Sequence, residues 1–138
     1  MKALTLTQPW ASLVALGLKQ VETRSWSTRY RGPLAIHAAK VFPSEARAFA
    51  EIERALGRLP GRIACGAILC TVRLVDVRPT EEVSQLVSAL ERYYGDYSRG
   101  RWAWILDDLK VLPEPIAARG ALSLWEWQPD DAKQGALL

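Results

Sequence analysis

Residues 1–26 read MKALTLTQPWASLVALGLKQVETRSW, and this stretch decides the fold that we predict. Lys2 to Leu6 is predicted to form an opening strand. A helix is predicted to begin at Pro9, because a proline at the first helical position gives up no backbone hydrogen bond. Gly17 is predicted to end that helix, since glycine readily adopts the left-handed conformation of a helix C-cap. Lys19 to Trp26 is then predicted to form a second strand.

The rest of the chain predicts more strands than helices, without regular alternation of the two. Helices are predicted from Pro43 to Leu56 and from residues 78–82 to about Tyr93. Irregular alternation disfavours a doubly wound parallel sheet. We therefore predict an α+β fold, a small and mostly antiparallel β-barrel with about three helices packed on its outside and across one end. The further predicted strands are Pro33 to Ala39, Ala64 to Val77, Trp102 to Leu106 and Leu122 to Trp127, with an irregular connection at Pro113 and Pro115.

Length and composition predict one globular domain over residues 1–138, with a frayed tail after about residue 129. The chain has 138 residues, of which 49% are hydrophobic and 24% charged, as is typical of globular proteins. No apolar run approaches the roughly 20 residues that span a bilayer, and residues 1–7 turn polar too soon for a signal peptide. We therefore expect a cytoplasmic protein with no membrane contact.

The cysteines and the histidine argue against a metal site. The chain has two cysteines and one histidine, which are too few of the ligands that zinc prefers. Cys65 and Cys70 are five residues apart, so on a strand they face opposite sides and are not expected to form a disulfide. We predict two reduced thiols in the core, with no metal and no cofactor.

Positive charge is concentrated in the first third of the chain. The formal net charge is +3, but residues 1–44 carry six basic residues and one acidic residue, a net charge of +5, and residues 45–138 sum to −2. This asymmetry indicates an anionic partner for one face; the alternative is an ordinary basic surface. The basic residues are Lys2, Lys19, Arg24, Arg29, Arg31 and Lys40, and the acid is Glu22.

The start of the first helix carries the first group of candidate residues. Backbone N–H groups at a helix start attract anions, phosphate included. Beside Pro9, the amide of Gln8 is suited to reading a base edge, and Trp10 offers a ring on which a base can stack. The alternative is that Trp10 anchors the helix in the core and that Gln8 or Thr7 caps the helix.

The second predicted strand carries the second group. Alternation along a strand places Glu22, Arg24 and Trp26 on one face, with Thr23 on the other. Arg24 is suited to clamping a phosphate or a carboxylate; the alternative is an exposed ion pair, worth about 0–1 kcal/mol. Strict alternation puts Lys19 opposite Glu22, and the sequence leaves open whether a turn brings the two together.

A third group follows in the loop and strand after Trp26. Tyr30 lies between Arg29 and Arg31, an order that suits stacking combined with phosphate contact; the alternative is an exposed basic turn. His37, followed by Lys40, is either a pocket residue or a buried histidine with satisfied hydrogen bonds. A second loop flanks the same cleft or is plain surface; it contains Tyr93, Tyr94, Tyr97, Arg99 and Arg101. The alternating tryptophans Trp102, Trp104, Trp125 and Trp127 are interpreted as packing residues.

These motifs resemble the ASCH family (activating signal cointegrator homology). The family pattern G-x-K-x-x-E-x-R is matched by Gly17, Lys19, Glu22 and Arg24. The resemblance is most specific in the first forty residues and covers nearly the whole chain. It implies a PUA-like fold, binding of RNA or other nucleic acid, and a cleft between the first helix and the barrel that contains Lys19, Glu22 and Arg24. The matching segments are residues 8–12, 17–26, 30–32, 36–40, 95–98, 100–104 and 120–125.

Three functions remain open at this stage. The first is a module that binds RNA, single-stranded nucleic acid or a nucleotide-like small molecule in a basic cleft. The second is a hydrolase acting on an acylated nucleoside or on RNA, as some small bacterial relatives do, with Lys19 and Glu22 as acid and base; Glu22 stands where the amidohydrolase type has a threonine. The third is a protein-interaction module in transcription. The oligomeric state is left open. The predicted ligand-binding residues are Gln8, Pro9, Trp10, Lys19, Glu22, Arg24, Trp26, Tyr30, Arg31, His37 and Lys40.

Overall fold

The structure, a computed structural model, describes residues 1–129. The tail predicted after about residue 129 lies outside the described residues. Within residues 1–129, six strands and four helices follow one another in an irregular order, which confirms the predicted α+β class. The elements are β1 (Lys2–Leu6), α1 (Trp10–Ala15), β2 (Val21–Arg24), β3 (Gly32–Ala38), α2 (Ser44–Ala55), β4 (Ala67–Pro79), α3 (Thr80–Val83), α4 (Ala89–Tyr93), β5 (Trp102–Ala117) and β6 (Leu124–Glu126).

The strands form one mixed sheet in the order β2-β5-β4-β3-β1-β6. β1 and β3 are parallel, and the other four neighbouring pairs are antiparallel. The sheet curves into a half-barrel, with β2 and β6 at its edges. Because β1 and β3 are parallel, their C-terminal ends lie together at one end of the sheet, and the candidate site lies there.

The predicted irregular connection at Pro113 and Pro115 is a bulge inside a longer strand. β5 continues to Ala117, and its register on β4 shifts between Ile68, which pairs with Ile116, and Cys70, which pairs with Val111. Residues of a bulge are left out of the hydrogen-bond ladder. The missing N–H of a proline therefore costs little there.

The helix predicted to run to about Tyr93 is two short helices. Ser88 interrupts it, because its hydroxyl accepts a hydrogen bond from the backbone N–H of Glu91 at 3.1 Å and so caps the N-terminus of α4. Serine is among the residues preferred at this position. No helix in residues 1–129 is both long and apolar enough to span a membrane.

The core lies between the concave sheet and α1. Trp104 is fully buried and Trp127 nearly so, in agreement with the predicted packing role, whereas Trp102 and Trp125 are half-buried. Cys70 is also fully buried, and burial raises the pKa of its thiol to about 12. The prediction that Cys65 is a core residue was wrong: it precedes β4 and is exposed. Other core side chains are Leu4, Leu6, Ala11, Val14, Leu34, Ile36, Leu74 and Leu106.

Candidate functional site

A cleft of about 400 Å³ opens between α1, β2 and the segment that follows α4. We call it the α1–β2 cleft. Its volume falls within the range of pockets that hold small molecules, roughly 300–1,000 Å³. The side chains that decide its chemistry are Trp10, Glu22, Arg24, Tyr93, Tyr94 and Asp96.

A sharp turn after α1 brings Lys19 to Glu22. Gly17 has a φ of +77°, which favours glycine. The backbone N–H groups of Leu18 and Lys19 both donate to the carbonyl of Leu13, at 3.0 and 3.1 Å. The turn folds Lys19 back, so that its Nζ lies 3.4 Å from Oε1 of Glu22. The question that strand alternation left open is thereby answered: these two side chains meet.

Glu22 is held between two cations. Nη1 of Arg24 lies 3.1 Å from its second oxygen, Oε2, and also 3.4 Å from the backbone oxygen of Thr5. Glu22 is 8% exposed at the wall of the cleft, and Arg24 is half-buried beside it. The arrangement places a carboxylate and a guanidinium side by side at one wall.

Lys19 itself does not reach the cleft. Its side chain is fully buried, and Nζ donates to the carbonyls of Val21 at 2.5 Å and Tyr94 at 3.1 Å. The ammonium group therefore contacts three oxygens of the protein and no solvent. Lys19 orients Glu22 and ties β2 to α4, and it is not placed to touch a ligand.

The cleft is charge-balanced, which corrects the prediction of a basic cleft. Among residues 1–129, its wall carries one cation, Arg24, and two carboxylates, Glu22 and Asp96. Lys19 adds a positive charge from behind the wall. Hydrogen bonds from the side chain and the backbone of Ser98 lower the pKa of Asp96, so this carboxylate stays ionised. The positive charge of residues 1–44 is therefore not gathered here.

An aromatic stack forms another wall. The Trp10 ring stacks on Phe49 with centroids 5.3 Å apart, and Phe49 stacks on Tyr93 with centroids 5.4 Å apart. Trp10 and Tyr93 both line the cleft, and half of Tyr93 is exposed. The cleft thus combines a charged wall with an aromatic one.

Both α4 and the segment after it are hydrogen-bonded to β2 and to the residue that precedes it. The carboxylate of Glu91 accepts hydrogen bonds from the backbone N–H groups of Gln20 and Val21, each at 2.9 Å. Thr23 borders the cleft rather than facing away from it, and its Oγ1 accepts from the N–H of Asp96 at 2.9 Å. Such bonds fix the cleft walls before a ligand arrives, which lowers the entropic cost of binding.

Tyr94 is anchored from behind by a buried carboxylate. Its hydroxyl donates to Glu53, which forms a two-bond ion pair with Arg58 at 2.9 Å. Hydrogen bonding to Arg58 holds the pKa of Glu53 below its ordinary value. Burial, together with Glu53, raises the pKa of Tyr94 to about 12. Tyr94 is therefore a fixed wall residue that stays protonated at neutral pH.

Gln8 cannot read a base, and its predicted role was wrong. The residue is fully buried, and its Nε2 donates to Oγ of Ser12 and to the carbonyl of Ala64, both at 2.7 Å. Its Oε1 accepts from the N–H of Ser12 at 2.9 Å. The amide groups are thus used inside the protein, where they fasten the first turn of α1. Pro9, also predicted to bind a ligand, is buried as the residue that precedes α1.

Trp26, Tyr30 and Arg31 are not brought into the cleft. Trp26 packs edge-on against Trp104, at 4.8 Å between centroids, and Arg24 lies over its ring. The hydroxyl of Tyr30 donates to the carbonyl of Pro33, and Arg31 donates to the carbonyls of Thr28 and Tyr30. This loop is therefore a basic turn, which was the alternative to a ligand-binding role.

His37 is a buried histidine with both ring nitrogens bonded, as one of its two interpretations held. Nε2 donates to the carbonyl of Ala118 at 2.7 Å, since a carbonyl oxygen only accepts. Nδ1 then accepts from the hydroxyl of Thr5 at 3.0 Å. Lys40 is exposed, but it lies beside a different groove.

The residues that sequence reasoning undervalued come from the distant half of the chain. Tyr93 and Tyr94 were given two interpretations, and the structure supports the one that placed them at the cleft; Asp96 was not a candidate. The available signal was the order Tyr-Tyr-Gly-Asp at the C-terminal end of a helix, where aromatic and polar groups lie close together in sequence. In residues 1–129, no three His, Cys, Asp or Glu side chains cluster so as to hold a metal ion.

A family model and two curated proteins match this chain. The ASCH domain family model matches residues 4–115. Human Activating signal cointegrator 1 is 39% identical over 79 residues, which are 53% of this chain and 14% of that protein. The mouse protein of the same name is 54% identical over 41 residues, 30% of this chain and 7% of that protein. The chain therefore spans at most about a seventh of the length of these curated relatives.

Solved structures share the fold. The crystal structure of ASCH from Zymomonas mobilis superposes with a TM-score of 0.57 and 14% sequence identity, covering 99% of this chain and 92% of that one. At so low an identity the similarity shows the fold alone.

Proposed function

We propose that this chain, which belongs to the ASCH domain family, is a nucleic-acid-binding module that holds an unpaired base in the α1–β2 cleft. The fold is PUA-like and generally linked to RNA binding. The proposal is carried by the juxtaposition, in one preformed cleft, of an exposed aromatic face and an ion-paired carboxylate with its guanidinium. RNA and single-stranded nucleic acid offer unpaired bases that fit such a site.

The aromatic wall supplies stacking. Tyr93 is half exposed and is supported from below by Phe49. A base lying on such a ring gains about 1–3 kcal/mol, largely irrespective of its identity. Because Phe49 holds the ring from the other side, little freedom is lost when a base stacks on it.

The charged wall supplies selectivity. The carboxylate oxygens of Glu22 accept hydrogen bonds, so this side chain prefers base edges that present N–H groups. Adenine, cytosine and guanine have an exocyclic amino group, whereas uracil presents two carbonyl oxygens beside a single N–H. The guanidinium edge of Arg24 that does not face Glu22 is suited to a base carbonyl or to a phosphate.

The hydrolase alternative lacks a supporting observation. Its acid–base pair requires Lys19 to reach a substrate, and that side chain is fully buried behind Glu22. The protein-interaction alternative likewise rests on no feature of the cleft. The nucleic-acid proposal uses the side chains that do line it.

Fluorescence anisotropy with labelled single-stranded RNA tests the proposal. We expect wild-type protein to bind at low salt and Tyr93→Ala to weaken binding about 5- to 150-fold, corresponding to the loss of one stacked base. Leu86→Ala is the control, because it removes an exposed apolar side chain that does not line the cleft. Absence of binding by the wild type at low salt would refute the function, and equal affinity of Tyr93→Ala would refute the site.

A further inference from the structure

We propose that a second groove, beside the α1–β2 cleft, binds the phosphate backbone of the same nucleic-acid strand. This inference rests on the proposed function. The groove has a volume of about 1120 Å³, and we call it the β1-end groove. Its lining includes Thr5, His37, Lys40, Cys65, Arg119 and Leu122.

Charge complementarity points to a polyanion. Lys40 and Arg119 line the groove and are both exposed. Among the residues that the structure describes, no aspartate or glutamate lines it, and neither cation forms an ion pair. The α1–β2 cleft, in contrast, is charge-balanced. A strand held there by one base needs its phosphates neutralised elsewhere, and the β1-end groove supplies unpaired cations.

The two sites lie on either side of the C-terminal end of β1. Thr5 lines the groove and the next residue, Leu6, lines the cleft, and because consecutive side chains of a strand face opposite sides of the sheet, the groove and the cleft open on opposite faces at the end of β1. The N–H of Ala39 in the groove donates to the carbonyl of Leu6 at 2.9 Å. Arg24 of the cleft contacts the carbonyl of Thr5. A strand leaving the cleft therefore has to pass around the C-terminal end of β1 to enter the groove.

The groove is preformed, because the loop after β5 is fixed to its floor. The carbonyl of Ala118 accepts from His37, and its N–H donates to the carbonyl of Gly66 at 3.0 Å. Gly120 then lies so close to the floor that a Cβ would come within 2.6 Å of Cε1 of His37 and 2.7 Å of Oγ1 of Thr5. Only glycine permits this approach. His37 thus supports the loop that carries Arg119 through its hydrogen bond to Ala118.

The groove also offers apolar surface for bases. Leu122 is 92% exposed and Val41 70% exposed, and both line it. Bases that follow the phosphates into the groove can cover these side chains. The combination of cations with apolar side chains fits a single strand, whose phosphates and base faces are both accessible.

Salt dependence tests the inference on RNAs of two lengths. For single strands, each neutralised phosphate contributes about 0.7 to the slope of log affinity against log salt concentration. On an RNA of about ten nucleotides, the double variant Lys40→Ala/Arg119→Ala should lower this slope by about 1.4. On an RNA of about three nucleotides, too short to fill both sites, variant and wild type should have equal slopes. The charge-matched control Arg73→Ala/Lys110→Ala removes two exposed cations that line neither site and should leave both slopes unchanged.

The outcomes separate this inference from the proposed function. An unchanged slope for the double variant on the longer RNA overturns it, while the effect of Tyr93→Ala still stands. If the double variant sediments differently from the wild type but keeps the wild-type salt slope, the inference is also overturned. The groove is then a surface for contacts between protein molecules. Absence of RNA binding by the wild type overturns both proposals. Circular dichroism of the double variant is expected to match the wild type, because both side chains are exposed.

Discussion

Replacing Lys19 by methionine separates a positioning role for this residue from a role in contacting ligand. Methionine keeps much of the apolar stem and removes the ammonium group. The change deletes the ion pair with Glu22 at 3.4 Å and two hydrogen bonds to backbone carbonyls. The side chain of Lys19 has no solvent access, so water does not readily take the place of its ammonium group.

The magnitude follows from three contributions. At an effective dielectric constant of about 20, two charges 3.4 Å apart attract by about 5 kcal/mol, but much of this is offset by the cost of burying them. Each lost hydrogen bond contributes about 1 kcal/mol. Removing one partner of a buried pair commonly costs about 3–5 kcal/mol. Since Arg24 still pairs with Glu22, we expect a loss near the lower end, about 3 kcal/mol.

Urea unfolding followed by tryptophan fluorescence measures this loss. The transition midpoint should fall while its steepness stays constant, because the surface exposed on unfolding hardly changes. Lys110→Met is the control, since this side chain is 73% exposed, and its effect should stay within about 0.5 kcal/mol. RNA affinity of the folded Lys19→Met variant should fall moderately, through displacement of Glu22.

One result would refute the reasoning. If Lys19→Met unfolds like the wild type but loses RNA binding or a hydrolytic activity completely, the ammonium group acts on the ligand directly. The burial of the side chain would then not describe the state that binds.

Further predictions concern acid stability, the groove floor, an unpaired hydroxyl and base preference. Hydrogen bonding to Arg58 lowers the pKa of Glu53, so its contribution to stability is present above the unfolded pKa of about 4.3 and is lost as pH falls through the lower folded pKa. Glu53→Gln should therefore lower stability at neutral pH and flatten its dependence on pH in urea melts at acid pH. Gly120→Ala should cost about 1–3 kcal/mol, because its Cβ meets the floor of the β1-end groove; a wild-type midpoint would contradict this. The Oη of Tyr97 is buried without a hydrogen-bond partner in the described part of the chain, so thermal melts should show Tyr97→Phe to be as stable as the wild type or up to about 1 kcal/mol more stable. Oligo(U) should bind more weakly than oligo(C) or oligo(A), and Glu22→Gln should reduce this difference in competition assays, because the amide adds a donor.

Local patterns accounted for much of the fold. The first strand and helix were predicted nearly to the residue, because Pro9 and Gly17 act within one or two turns of chain. The proline bulge in β5 and the break at Ser88 were missed, although each has a local cause. The bulge was missed because a proline rules out regular strand pairing but is compatible with a bulge. The helix break was missed because a serine can either continue a helix or cap the start of a new one.

The sequence predicted only those members of the candidate site that lie near the start of the chain. The motif with Lys19, Glu22 and Arg24 was found, and its members do meet. Their different exposures were not predictable, because burial of Lys19 depends on Tyr94, 75 residues away in sequence. Gln8 shows the same limit, since its amide is occupied by Ala64, 56 residues distant.

The sequence by itself determined the order and type of the early elements, the membership of a family and the residue types available for binding. Those properties are set by neighbours along the chain, which fix backbone preferences and alternation. Only the tertiary structure decided that the cleft is charge-balanced, that Lys19 is sealed behind Glu22, and that Lys40 joins Arg119 in a second groove. The physical reason is that sheet register and packing bring together residues about 70 to 80 positions apart, and burial and hydrogen bonding are consequences of those contacts.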